Sequence, residues 1–165
     1  MLRSDSSGFG IARKSVALAL LLAFLCLPLA DASVTSGEVM YVGGTIAGLP
    51  EATTGRLDTK SDKVLVFESP KGRFEIPYEN VTSLEYGQKA GRRVGVAIVI
   101  SIWALFSKKR KHFLTIGYTD AGEKPQGVVL EIPKGTAKSF ITIIEVRSGK
   151  KVEYESEEAK KHVHG

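Results

Sequence analysis

Residues 113–149 read FLTIGYTDAGEKPQGVVLEIPKGTAKSFITIIEVRSG, and this stretch decides the fold class. Leu114, Ile116 and Tyr118 alternate with small or polar neighbours, the period of a strand with one buried face. Asp120-Ala121-Gly122-Glu123 has the composition of a turn, after which Val128, Leu130 and Ile132 alternate again. Pro133-Lys134-Gly135 ends that strand. Thr136 is placed to cap a helix running to about Arg147, with Gly149 as its stop. Ala137, Phe140 and Ile144 then share one side of the helix. The run Phe140-Ile141-Thr142-Ile143-Ile144 is rich in β-branched residues and keeps a strand in competition. The framing by cap and glycine favours the helix.

Working outward, the preceding chain is a series of short apolar runs divided by turn residues. Residues 39–46 contain Gly43-Gly44, which predicts a bend or bulge within a strand. Residues 55–59 and 64–68 read as a hairpin around 60–63, and Ser69-Pro70-Lys71-Gly72 as a turn. Phe74, Ile76 and Tyr78 alternate. Beyond Glu79-Asn80, Thr82, Leu84 and Tyr86 fall on one face, with Glu85 on the opposite, expectedly exposed side. Residues 152–154 offer a last short strand. The charged stretch 155–165 is expected to be a flexible tail.

The expected fold class is therefore mainly β (α+β), with about seven antiparallel strands and one C-terminal helix. That order of elements is the order in the pleckstrin-homology (PH) and GRAM superfold. The stretches Tyr41-Val42-Gly43-Gly44-Thr45, Ile76-Pro77-Tyr78, Ser83-Leu84-Glu85-Tyr86-Gly87 and Lys109-Arg110-Lys111-His112-Phe113-Leu114-Thr115-Ile116 strengthen the likeness. They resemble a group of exported bacterial proteins with a PH-like (GRAM or bacterial PH) domain. The resemblance covers most of residues 33–154 and implies a small barrel closed at one corner by the helix. Its motifs are structural, and it assigns no function to any residue.

The N-terminus reads as an export signal over residues 1–32. Arg13 and Lys14 precede the apolar run 16–29, Pro28 breaks it near its end, and Ala30-Asp31-Ala32 supplies a small-x-small cleavage pattern before Ser33. An uncleaved anchor is the alternative. The single cysteine, Cys26, lies inside this run, so a cleaved protein has no thiol for a disulfide, a nucleophile or a metal. Leu25 in front of Cys26 argues against a lipoprotein signal. The expected location is the periplasm or cell envelope.

Between the strands at 81–86 and 113–119 lies an insert, residues 92–111, with a thirteen-residue apolar run at 94–106, Val-Gly-Val-Ala-Ile-Val-Ile-Ser-Ile-Trp-Ala-Leu-Phe. Arg92 and Arg93 flank it on one side, and Lys108, Lys109, Arg110 and Lys111 on the other. As a helix it spans about 20 Å, short of the roughly 30 Å hydrocarbon core. If the flanking strands share one sheet, the insert leaves and returns on one side of any membrane, because a crossing would sever the sheet. Two readings follow. In one, Ile98, Ile100 and Ile102 dip into a bilayer, Trp103 and Phe106 sit near the headgroups, and the cations meet anionic lipid. In the other, the run is core or an oligomer interface, and the partner is an envelope protein.

No catalytic constellation is legible. No nucleophile elbow, phosphate loop or H-E-x-x-H spacing occurs. His162-Val163-His164 offers two imidazoles but no fixed third ligand. Glu157-Glu158 reads as a solvated face. The formal net charge of +5 is too small to argue nucleic acid by itself, and the basic run 108–111 lacks the interleaved aromatics of a stacking platform. The expectation is a binding module rather than an enzyme, with no cofactor, no metal and no nucleic-acid partner.

Overall fold

The computed structural model describes residues 35–88 and 111–164, all within one unit, Ser33–Gly165. The expected export signal, residues 1–32, and, within the insert, Arg92, Arg93, Ile98, Ile100, Ile102, Trp103, Phe106, Lys108, Lys109 and Arg110 lie outside the described residues. Lys111 lies within them.

The protein is mainly β. Its strands are β1 (Ser36–Gly44), β2 (Thr53–Asp58), β3 (Val64–Ser69), β4 (Gly72–Pro77), β5 (Val81–Gly87), β6 (Phe113–Thr119), β7 (Pro125–Glu131) and β8 (Val152–Tyr154). A short 3-10 turn, Tyr78–Asn80, joins β4 to β5. Among the described residues there are two helices, α1 (Lys134–Ser148) and α2 (Glu157–His164). The strands form one sheet in the order β4-β3-β2-β1-β7-β6-β5-β8. Every pairing is antiparallel except β5 with β8, which is parallel.

This corrects the expected barrel of about seven antiparallel strands with one helix. The sheet has eight strands, is mixed, and is not closed. The eighth strand runs parallel to β5 because α1 carries the chain back along the sheet before β8 joins its edge.

Local chemistry explains most elements. Asp120 organises the β6–β7 turn, its Oδ1 accepting from the backbone N–H of Gly122 (2.8 Å) and Lys124 (2.9 Å). The predicted Gly43-Gly44 irregularity is a register shift between Tyr41 and Gly43 where β1 meets β7. Gly44 has φ +156°, and a Cβ there would strike the Gly127 carbonyl, so only glycine fits so close to β7.

Helix α1 starts two residues before the expected cap. The Pro133 carbonyl accepts from the N–H groups of Thr136 and Ala137 (both 3.1 Å), making Pro133 the first helical acceptor. Gly149 ends the helix in the left-handed conformation, φ 68°, as its position predicts. The β-branched run is helical because Ala137, Phe140, Ile141 and Ile144 recur on one face and are buried against the sheet. That packing outweighs a weak intrinsic preference for strand.

Three further expectations change. A register shift between Val81 and Ser83 turns Thr82 outward, so only Leu84 and Tyr86 of that trio face the core. Glu85 is buried, at 5% exposure, because β5 is an interior strand flanked by β6 and β8. The expected flexible tail instead forms α2. Ser156 Oγ accepts from the Ala159 N–H (3.2 Å) as an N-cap, and Ala159 and Val163, one turn apart, are buried in the core.

Arg147 ties the last turn of α1 to the β2–β3 loop. Its guanidinium donates to the carbonyls of Thr59 and Ser61 (2.9 Å to the latter) and lies 5.5 Å from the centroid of the Tyr78 ring. It also pairs with Asp62 (2.7 Å), but that carboxylate side chain is 88% exposed and contributes little. The carbonyl contacts carry the interaction. Arg147→Ala is expected to lower the unfolding free energy by about 2 kcal/mol, whereas Asp62→Ala should fall within about 0.5 kcal/mol. Urea midpoints at constant slope read both.

Candidate functional site

Strands β5 and β6 pair along their whole length, from Val81 with Tyr118 to Gly87 with Phe113. The premise about the insert therefore holds at its two roots. The chain leaves β5 after Gly87 and re-enters β6 at Phe113, and those two residues are direct cross-strand partners.

Each root is pinned by a carboxylate. The Gln88 backbone N–H donates to Glu155 Oε2 at 2.7 Å, and the Glu155 N–H donates to the Tyr86 carbonyl at 3.0 Å. On the return side, Lys111 Nζ donates to Glu131 Oε2 at 2.7 Å, with both side chains 25% exposed. Lys111, one of the cations expected to meet anionic lipid, makes this ion pair with β7 in the structure.

Beside these roots lies a cluster of imidazoles and phenols that sequence reasoning missed. The His112 and His162 rings stack with centroids 3.7 Å apart and planes 16° from parallel. The Tyr86 ring lies near-parallel to His112, 5.6 Å away, and 6.0 Å from the His162 ring, and its hydroxyl is 2.8 Å from His162 Nδ1. Tyr154 meets Tyr86 edge-on, and its hydroxyl is 2.9 Å from His164 Nε2. His112 is 6% exposed, and its Nε2 has no hydrogen-bond partner among the described residues.

Burial favours the neutral forms of Tyr86, His112, Tyr154 and His162. It lowers the His112 pKa, against the pull of Glu158 and Glu155, with Lys134 adding to the lowering. It lowers that of His162, helped by His112 and Lys134. It raises the Tyr86 phenol, so that hydroxyl keeps its proton while it hydrogen-bonds His162 Nδ1.

The His162-Val163-His164 pair does not converge on one point, since each imidazole engages a different tyrosine. Among the described residues no group of three or more His, Cys, Asp or Glu is placed to hold a metal ion. A shallow depression lined by Glu38, Met40, Thr54, Glu131 and Pro133 lies across β1, β2, the end of β7 and the start of α1. No described helix is long and apolar enough to cross a membrane.

His112 stands just before an alternating strand, which is the only sequence signal for this cluster. Nothing in the primary structure marks residue 162 as its neighbour. Comparison with models of known protein families and with curated proteins finds no match for this chain.

Proposed function

We propose that the protein is a non-enzymatic binding module of the cell envelope, held at a membrane surface by residues 92–111. The order of strands followed by α1 supports a PH-like relationship. One observation carries the functional reading: Gly87 and Phe113 are cross-strand partners at the two ends of a cation-flanked apolar segment. A segment rooted this way enters and leaves a bilayer from one side. Ile98, Ile100 and Ile102 supply apolar area, Trp103 and Phe106 occupy the interface, and Arg92, Arg93, Lys108, Lys109 and Arg110 meet anionic headgroups.

The chain from Ser33 onward is expected to co-sediment with vesicles containing phosphatidylserine, with a blue shift of Trp103 emission. Full solubility beside such vesicles and an unshifted spectrum would reject the reading.

A second reading is favoured by the reverse face of the sheet. Val42, Phe113, Thr115 and Val129 are buried there although they stand outside the core cluster that contains the buried residues of α1 and α2. Under this reading the protein is a soluble exported assembly domain, and the apolar run is core or an interface with another protein or a second copy. Ile100→Asp separates the two. It abolishes vesicle binding and leaves the fold intact in the first, and it unfolds the domain or dissociates an oligomer in the second.

A further inference from the structure

We infer that α2 is an acid-released latch, docked on β5 and β8 while His112 and His162 are neutral and let go when they take up protons. The inference is independent of the lipid reading, since the groups that carry it, Tyr86, His112 and His162, lie outside residues 92–111.

The geometry tolerates two neutral imidazoles and opposes two charged ones. Stacked rings with centroids 3.7 Å apart attract when neutral, but as imidazolium ions they place like charges in contact. His112 Nε2 is buried without a hydrogen-bond partner among the described residues. A proton on it would be a buried donor with no acceptor, which folded proteins avoid. His162 Nδ1 shares a 2.8 Å hydrogen bond with the Tyr86 hydroxyl; in the tautomer where Nδ1 is the acceptor, a proton there removes the lone pair that this bond uses.

The surrounding charges do not cancel this. Glu155 and Glu158 favour a charged His112, Lys134 at the start of α1 opposes it, and burial outweighs the carboxylates. Lys134 and His112 also oppose a charged His162. Lys111, next in chain to His112, is paired with Glu131 on β7. Tyr154 is occupied by His164, whose ring lies on the far side of α2 from His162.

The direction with pH follows from these lowered values. The undocked state binds more protons than the docked state, so docking is complete above the ordinary histidine pKa of about 6.5 and is lost as pH falls below it. Release uncovers Tyr86 and His112, together with the apolar Ala159 and Val163 side of the helix. Ala159 and Val163 are the buried residues of α2, so apart from the histidine contacts its apolar anchorage is small. A helix of eight residues does not persist once detached.

Hydrogen–deuterium exchange of the full chain, corrected for intrinsic rates, tests the latch at about pH 7.5 and about pH 5. Amides of residues 159–164 are expected to lose protection by about tenfold or more at the lower pH, while those of Leu65 and Phe67 on β3 hold theirs. His112→Phe combined with His162→Asn keeps a ring in the stack and an acceptor for Tyr86. It should show the same α2 protection at both pH values. Unchanged protection in the unaltered chain, or a pH-dependent loss that survives in the double variant, would overturn the inference. Should the double variant not fold, the imidazole resonances of the unaltered chain decide: titration of both histidines below free histidine supports the latch, and titration at or above it refutes it.

Discussion

Replacing Phe140 with alanine is expected to lower the unfolding free energy by about 3–5 kcal/mol, a large part of the roughly 5–15 kcal/mol that holds a domain together. Phe140 is fully buried on α1 and faces Gly37 of β1, where an added Cβ would lie 3.3 Å from the ring. The missing side chain at Gly37 is what lets the ring approach the sheet. Truncation therefore leaves a cavity lined by backbone that has little freedom to collapse. Urea denaturation reads the effect, with Val146→Ala as control. Val146 is on the same helix but 77% exposed, and its substitution should cost no more than about 0.5 kcal/mol. A Phe140 cost comparable to that of Val146 would mean that α1 does not seat on this sheet.

The second large effect concerns lipid. Lys108→Gln, Lys109→Gln and Arg110→Gln together should weaken binding to phosphatidylserine vesicles by roughly a hundredfold, at about 1 kcal/mol per cation near the surface. The loss should shrink as salt is raised, because the interaction is screened. Lys111→Gln should behave differently. Its ammonium already pairs with Glu131, so vesicle affinity should change by less than about twofold while the β6–β7 contact weakens. Sedimentation over a salt series measures both. Equal losses from all four positions would contradict the assignment of Lys111 to β7. No loss from the triple variant would count against the lipid reading itself.

Much of the fold was legible because its signals are short-range. Leu114, Ile116 and Tyr118 alternate within one strand, and Asp120 hydrogen-bonds residues two and four positions onward. Gly149 ends α1 within its own turn. The insert was equally visible, since thirteen uncharged residues between blocks of cations need no partner to be recognised.

The misread elements depend on distant residues. Glu85 is buried only because β8 arrives on its outer side after α1 has returned the chain. Helix α2 contributes two apolar residues among charged ones, too weak a pattern to distinguish from a solvated tail until Ala159 and Val163 meet the core. The stack of His112 on His162 joins residues fifty positions apart, and Tyr86 enters from strand β5.

From the sequence alone came the β-rich class, the turns, the end of α1 and the presence of a cation-bracketed apolar segment. Tertiary structure alone determined the open eight-stranded sheet, the docking of α2, the commitment of Lys111 to Glu131 and the neutral imidazole pair. The division has one physical cause. Turn chemistry, glycine geometry and apolar periodicity act over a few residues, whereas burial and proton affinity depend on which remote surfaces the chain brings together.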